Sequence, residues 1–449
     1  MQIQKARVLA GSARRLLHRN ARGHLANMLT KLRSPDVANL LRELSDRDQK
    51  ALFAILMQEE LALAAETLNN LEPEHATLLL QPLSSQEISQ ILQEMDSDDA
   101  AAFISALPEE LAEEVLDLMR GKQSKEVQGL LRYEEETAGR IMTPNVFALD
   151  EDVTVSEAIN AVQAGTDLEM VFYIYVVDDR HHLVGVVSLR QLLVVPPSTP
   201  LKKMMSTDLL SVTTETDQEE VARQVALYDL LAIPVVDHQN RLVGMITVDD
   251  VIDVIQEEAT EDILHLAGVN TDDHVYTSRW QSYKKRIPWL AVNLATLMVA
   301  AKVVDIYEAT IAAWPFLAIF LPVVAGLGGN AGTQALALTV RGLALGEISW
   351  SSSRSAVFKE LVLGLGNGIT IGLLAGVAGF FWIGNWKLGL ILGAALIINL
   401  FVAGIIGSAI PLILTRLRID PAVASSMLLT TITDAVGFFA FLAMAFRFL

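Results

Sequence analysis

Residues 322–342 read PVVAGLGGNAGTQALALTVRG, and its part 326–334 gathers four glycines (Gly326, Gly328, Gly329, Gly332) and three polar side chains (Asn330, Thr333, Gln334) within a largely apolar segment. Such a backbone is costly in lipid unless something compensates. Glycine lets helices approach closely, and it tolerates local unwinding only where the freed carbonyls are buried in protein or line a wet cavity. Close helix packing accounts for the glycines alone, whereas a pore lining accounts for the glycines and the polar groups together. Asp434 favours the pore. It is the only acidic residue after Pro421, and a carboxylate at membrane depth costs at least about 2.5–3.5 kcal/mol and usually marks an ion path.

Around this run lie five hydrophobic stretches, 288–304, 312–340, 361–384, 388–415 and 421–446, each long enough to span a bilayer, the first barely. A content of 52% hydrophobic and 19% charged residues over 449 positions is too apolar for an ordinary soluble protein. Basic residues set the expected orientation. Arg279, Lys284, Lys285, Arg286, Arg341, Arg354, Lys359, Arg416 and Arg418 fall on the side of the soluble front, against Lys302, Lys387 and Arg447 on the other. The front is therefore expected in the cytoplasm and the C-terminus outside, in a multi-pass protein of the plasma (inner) membrane.

The charges divide sharply. The last 163 residues hold 6 of the 53 acidic and 8 of the 34 basic side chains, so within the formal charge of −19 the front part carries −21. That acidity argues against nucleic acid as a partner and suits a cation-binding role, a solvated acidic surface being the bland alternative. With no cysteine, and with all eight histidines before Arg286, thiolate and soft-metal sites are excluded from the membrane part. Oxygen donors favour hard ions such as magnesium or calcium. There is no Ser/His/Asp or Cys/His set and no P-loop, so an enzyme or an ATP-driven pump is not expected.

Residues 1–33 are basic and loosely amphipathic, without the apolar core of a signal peptide. They read as a solvated helix face or as a contact for anionic lipid headgroups. From about Asp36 to Arg120 the chain repeats: Leu71, Leu83, Met95, Leu107 and Met119 recur every 12 residues, most of them followed by a polar or proline start and an apolar run. The expected structure is a stack of short helices forming a small superhelix. One start, Asp96-Ser97-Asp98-Asp99, concentrates carboxylates where a helix N-terminus needs caps. Capping is the first account of Asp96, and bridging a metal is the second for Asp98 and Asp99.

A longer repeat occupies about Glu136 to Gln256, where VVDDRHHLVGVVSLRQLL (176–193) returns as VVDHQNRLVGMITVDDVI (235–252), Gly185 matching Gly244 at an offset of 59. Each copy is an apolar strand-like run, a polar turn, a second run and a helix. The pair resembles tandem cystathionine-β-synthase-type (CBS) domains, regulatory modules that commonly dimerise. In that family a hydroxyl and a carboxylate three residues apart often hold the ribose of ATP or another adenine nucleotide. Thr247 and Asp250 supply both in the second copy, while the first has Ser188 and Gln191. An acidic run follows, in which Asp250, Asp253, Glu257 and Glu261 share one helical face beside Glu258 and Asp262. Two carboxylates at about 4 Å repel by roughly 4 kcal/mol at an effective dielectric of 20. Packing such faces together would need cations between them; alone, the face would simply be solvated.

Taken in order, the acidic helical front, the CBS pair, the acidic connecting helix, the five spans, the sequence PVVAGLGGNAGTQ and the ending DPAVASSMLLTTITDAVG together resemble the MgtE family of magnesium channels and transporters. The resemblance covers essentially the whole chain. It implies an N-terminal all-α superhelical domain (1–133), α/β CBS domains (134–196 and 197–254), a connecting or plug helix (255–285) and a five-helix α transmembrane domain (286–449). It further implies a homodimer with a pore between the protomers, lined by the second and fifth spans, importing Mg2+ down its gradient and closed by intracellular Mg2+. By position, Asp434 becomes the pore carboxylate, with Asn330, Gly329 and Thr333 supplying neutral groups. Asp96, Asp98, Asp99, Asp217, Asp229, Asp250, Asp253, Glu257, Glu258, Glu261 and Asp262 become candidates for the sensing sites. Thr333 stands where many relatives carry a second Asn, Ala337 where a hydroxyl is frequent, and Ser425-Ser426-Met427 where a turn with Pro is usual. These departures bear on selectivity, so import of Co2+, Ni2+ or Mn2+ stays open, as does a membrane-anchored Mg2+ or nucleotide sensor that transports nothing.

Overall fold

A computed structural model of the protein describes residues 2–164, 172–271, 273, 277–348, 352–422 and 425–449. Its contacts divide the chain into two units, Met1–Ile255 and Gln256–Leu449.

The first unit begins with short helices: α1 (Gln2–His18), α2 (Arg22–Leu29), α3 (Ser34–Arg42), α4 (Asp46–Glu59), α5 (Leu61–Asn69), α6 (Pro73–Leu80), α7 (Ser85–Leu92), α8 (Ser97–Ser105), α9 (Glu109–Leu118) and α10 (Gly121–Leu130). Their starts are those the sequence signals. Ser45 accepts a hydrogen bond from Asp48 N, Ser84 and Glu87 close a reciprocal capping box, and Pro73 opens α6, where its missing N–H costs nothing. The twelve-residue repeat is a packing repeat. Leu71, Met95 and Met119 are buried, with Leu83 and Leu107 packed against the same core. Helices two apart in sequence meet, α5 on α7, α7 on α9 and α8 on α10. That overlap is what makes a superhelical stack.

The CBS pair follows: α11 (Ala138–Ile141), β1 (Ala148–Asp150), α12 (Val155–Ala164), β2 (Tyr173–Val177), β3 (Leu183–Ser188), α13 (Leu189–Leu192), β4 (Val212–Thr213), α14 (Gln218–Leu227), β5 (Ala232–Val236) and β6 (Leu242–Thr247). Each copy builds a three-stranded sheet, β1-β2-β3 and β4-β5-β6, with one parallel and one antiparallel pairing. The offset of the repeat is carried into the register: Val176 pairs with Gly185 and Val235 with Gly244, each followed by the same irregularity. Both glycines are needed for close approach, since a Cβ on Gly185 would lie 2.3 Å from Met205 Sδ and one on Gly244 2.5 Å from Met142 Sδ. The segment before each copy is donated to the other. Gly139 N donates to Thr214 O (3.0 Å) and Thr143 exchanges hydrogen bonds with Met245, while Ser206 pairs with Val186. A boundary at 196/197 therefore divides the sequence but not the packing.

Helix α15 (Val248–Leu266) runs across the division between the units. A single connecting helix over 255–285 is expected from the sequence; instead the helix ends at Leu266, Gly268 adopts φ +70°, and α16 (Arg279–Ile306) starts afresh with Ser278 as its cap. The second unit continues with α17 (Glu308–Ala313), α18 (Leu317–Ala344), α19 (Ser353–Ile383), α20 (Trp386–Arg416) and α21 (Ser425–Phe448). Among the described residues, five helices (α16, α18, α19, α20, α21) are long and apolar enough to span a membrane. Glycine holds α19 to α20: a Cβ on Gly372 would lie 2.6 Å from Gly393 O, and one on Gly376 2.6 Å from Gly389 O. In lipid, where apolar burial gives no net drive, this backbone-to-backbone approach supplies the packing. Helix α20 is the hub, contacting α18, α19 and α21.

Candidate functional site

The apolar run at 322–342 lies within α18, which is helical throughout. No local unwinding occurs; Gly329 O remains in the helix and accepts the Thr333 hydroxyl at 2.9 Å. The four glycines split into two roles. Gly328 and Gly332 are buried, and a Cβ there would come within 2.3 Å of Asn399 Nδ2 and 2.6 Å of Leu429 Cδ1. Gly326 has nothing within 4 Å and Gly329 only Thr430 Cγ2 at 3.8 Å. The exposed side of α18 carries Asn330, Thr333 and Gln334 together.

Asp434 lies on α21, half-buried, between two points of contact with α18. One turn before it, Thr430 faces Gly329; one turn after it, a Cβ on Gly437 would lie 2.8 Å from Val324 Cγ1. The two helices run antiparallel, so Asp434 lies between the levels of Gly329 and Val324 of α18, and Asn330, Thr333 and Gln334 follow beyond Gly329 on the same helix. Sequence reasoning missed Asn399 of α20. It is fully buried, and its Nδ2 donates to Val324 O at 2.9 Å. The available signal was its being the only amide side chain in the apolar stretch 388–415.

In the first unit, Asp96, Asp98 and Asp99 at the start of α8 face Asp249 and Asp250 at the start of α15 across a cavity of about 730 Å³. Burial, then the charge of Asp99, pushes Asp98 up to about 7. Asp99 is pushed up to about 7 by burial and then by Asp250, and Asp250 up to about 7 by burial and then by Asp98. Burial followed by the charge of Asp249 raises Asp96 and Asp253 as well. Thr143 Oγ1 donates to Asp98 Oδ2 (3.2 Å) and Asn69 Nδ2 donates to Asp99. Asp98 Oδ1 is buried with no hydrogen-bond partner among the described residues. Carboxylates held together against their own repulsion, with an acceptor left over, suit a hard divalent cation. Asp96 occupies the N-cap position of α8 but makes no cap hydrogen bond, so simple capping does not explain it.

The remaining acids separate. Asp217 caps α14, accepting from Glu219 N at 2.9 Å, and Asp229 sits in a left-handed turn at φ 52°. No described contact joins either to the acids of α8. Thr247 Oγ1 donates to Asp250 at 2.5 Å, and Ser188 with Gln191 forms the corresponding capping box in the first copy. The hydroxyl-carboxylate pair expected to hold a ribose is thus also the local start of α15. Tyr175 and Thr247 line the same cavity as the acids.

A third grouping lies in the second unit. His265 Nδ1 is 3.0 Å from Asp420 Oδ2 and 3.6 Å from Glu261 Oε1, and burial followed by the Asp420 charge raises Asp262. The three can offer one ligand atom each within 4.8 Å of one another. Asp420 and His265 were not singled out by sequence, because 155 residues separate the two partners. Leu266, the next residue on α15, packs with Leu336 and Val340 of α18 and Leu429 of α21. Glu257 and Glu258 lie on the same helix, one exposed and one half-buried.

A soluble acidic front, a CBS pair and five apolar helices, two of them in contact and bearing polar groups, define a multi-pass membrane transport protein with a soluble N-terminal part. Residues 321–444 match the MgtE divalent cation transporter family, 36–136 the MgtE intracellular N domain, and 138–200 and 201–257 the CBS domain. The chain belongs to the MgtE family, a family of transporters rather than enzymes. It is 40% identical over 321 residues to the magnesium transporter MgtE of Thermus thermophilus, covering 71% of each chain, and 38% identical over 321 residues to that of Enterococcus faecalis, again 71% of each. Among solved structures, the cytosolic domain of the Mg2+ channel MgtE in complex with ATP superposes with a TM-score of 0.51 at 38% identity, over 55% of this chain and 99% of that one.

Proposed function

We propose that the protein is a magnesium-permeable channel of the inner membrane, built by two copies, that admits Mg2+ down its electrochemical gradient and closes when cytoplasmic Mg2+ binds. The observation that carries this is the exposed polar face of α18, with Asn330, Thr333 and Gln334, packed beside α21, which bears Asp434. Polar groups in a spanning helix need protein or water opposite them, and a twofold partner supplies both. Two Asp434 carboxylates then balance one divalent ion, and the neutral oxygens contact a hydration shell that Mg2+ gives up reluctantly. A membrane potential contributes about 2.3 kcal/mol per charge per 100 mV to entry, so no other energy source is required. The front part lies in the cytoplasm and the C-terminus outside.

Closure is assigned to the two acidic groupings. Mg2+ among Asp96, Asp98, Asp99, Asp250 and Asp253 relieves their repulsion, and Mg2+ at Glu261 and Asp420 ties the end of α15, with Leu266, onto the spanning helices. The similar cytosolic domain solved with ATP supports adenine-nucleotide binding at Thr247 and Asp250. There nucleotide and cation share one carboxylate.

The test is flux into liposomes holding wild-type protein or Asp434→Ala, with an imposed potential and varied Mg2+ on the cytoplasmic face. Asp434-dependent flux that falls as that Mg2+ rises is the expected result; flux indifferent to Asp434 would sink the pore. A second reading, import of Co2+, Ni2+ or Mn2+, is favoured by Thr333, whose hydroxyl is already given to Gly329 O. Competition among the metals separates the two.

A further inference from the structure

We propose that Asn399 is a positioning residue that sets the spacing of the two pore-lining helices and thereby the size of hydrated cation that passes. Asn399 is 0% exposed within α20, and its amide is wedged between the other two helices. A Cβ on Gly328 of α18 would lie 2.3 Å from Asn399 Nδ2, and one on Gly437 of α21 would lie 2.6 Å from the same atom. Both glycines exist to admit this side chain. Each is also close to the groups assigned to the ion path: Gly328 stands two residues before Asn330, and Gly437 three residues after Asp434.

Packing alone would not select an amide here. Leucine has a similar length and buries without leaving a polar atom unmet, whereas Asn399 Oδ1 is buried with no hydrogen-bond partner among the described residues. What the amide supplies is direction. Nδ2 donates to Val324 O at 2.9 Å, two residues beyond Pro322, whose ring removes a backbone donor from α18. A helix weakened there is free to bend, and a fixed cross-helix bond restrains the bend. The anchor is firm because α20 is itself held against α19 by backbone contacts at Gly372 and Gly376. Asn399 thus fixes α18 by a hydrogen bond and α21 by contact, from one rigid helix that contributes no group to the path. Selectivity for a hydrated ion depends on such spacing, since neutral oxygens reach the ion's waters only at one pore width.

Because this presupposes the pore proposed above, the experiment carries both. Full-length protein in liposomes is assayed for Mg2+, Co2+ and Ca2+ flux as wild type, Asp434→Ala, Asn399→Leu, Asn399→Ala and Asn399→Ala with Gly328→Ala, alongside thermal unfolding of each. Asn399→Leu is expected to stay folded while the Mg2+ preference over Co2+ and Ca2+ falls roughly three- to twentyfold, the equivalent of one interhelical hydrogen bond in a membrane. In the double variant the new methyl refills the space left by Asn399→Ala, and selectivity recovers part of the way. If Asn399→Leu fails to fold, the two Asn399→Ala proteins give the same comparison. Unchanged ion preference in folded Asn399 variants, or a uniform fall for all three ions with no recovery in the double variant, overturns the inference while leaving the pore intact. A wild type that passes no divalent ion, or flux indifferent to Asp434→Ala, overturns both.

Discussion

The protein uses carboxylates in opposite ways in its two units. In the first, several aspartates from α8 and α15 are crowded until burial and mutual repulsion hold three of them near pH 7. In the second, Asp434 stands on a spanning helix packed against α18, whose exposed side carries amide and hydroxyl groups. A switch gains from being unstable without its ion, because binding then does mechanical work. A path gains from the reverse, one charge weak enough to release what it attracts.

Replacing Asp434 by Ala breaks the comparison most severely. Flux should drop to background while Mg2+ binding to the soluble part is unchanged, read by liposome uptake and by calorimetry on the same preparation. Next in size is a packing change with no charge. Gly376→Ala puts a methyl against Gly389 O and should destabilise the membrane unit by about 1–3 kcal/mol, seen as a lower unfolding temperature in detergent.

Asp98→Asn should act with the opposite sign. Without metal at pH 8 it removes a buried charge and stabilises the soluble part by roughly 1–3 kcal/mol, and it should also blunt the stabilisation that Mg2+ gives the wild type. Denaturant titrations with and without Mg2+ check both. The pH dependence follows from the same groups. Asp98, Asp99 and Asp250 have folded-state values raised from 3.8 to about 7, so the folded state holds more protons than the unfolded between those limits. Metal-free stability is therefore greatest below about pH 4 as regards these groups and is lost as pH rises through about 7, while Mg2+ affinity rises over the same interval as protons leave. A flat stability curve from pH 4 to 8 would remove the switch from this cluster. The smallest effect belongs to Asp217→Asn, which keeps the cap on α14 and removes the charge; it should change stability by under about 0.5 kcal/mol and leave the Mg2+ response alone. A shifted response would return Asp217 to the sensing set.

Much of this was legible in the chain. The twelve-residue recurrence of Leu71 to Met119, the 59-residue repeat with Gly185 and Gly244, and the five apolar stretches each correspond to elements in the structure. One misreading is local. The connecting helix ends at Leu266, just before Gly268 takes a left-handed turn.

Sequence by itself determined the elements, the repeats and the identity of the polar residues in apolar surroundings, since periodicity, caps and hydropathy act over a few residues. Only the tertiary structure decided which of these meet. Asp98 against Asp250, His265 against Asp420, and Asn399 between Gly328 and Gly437 are each joined across long stretches of chain. Glycines that look alike in sequence proved to differ in the same way: Gly328 faces a side chain and Gly326 faces nothing, because what fills the space beside a missing Cβ belongs to another helix.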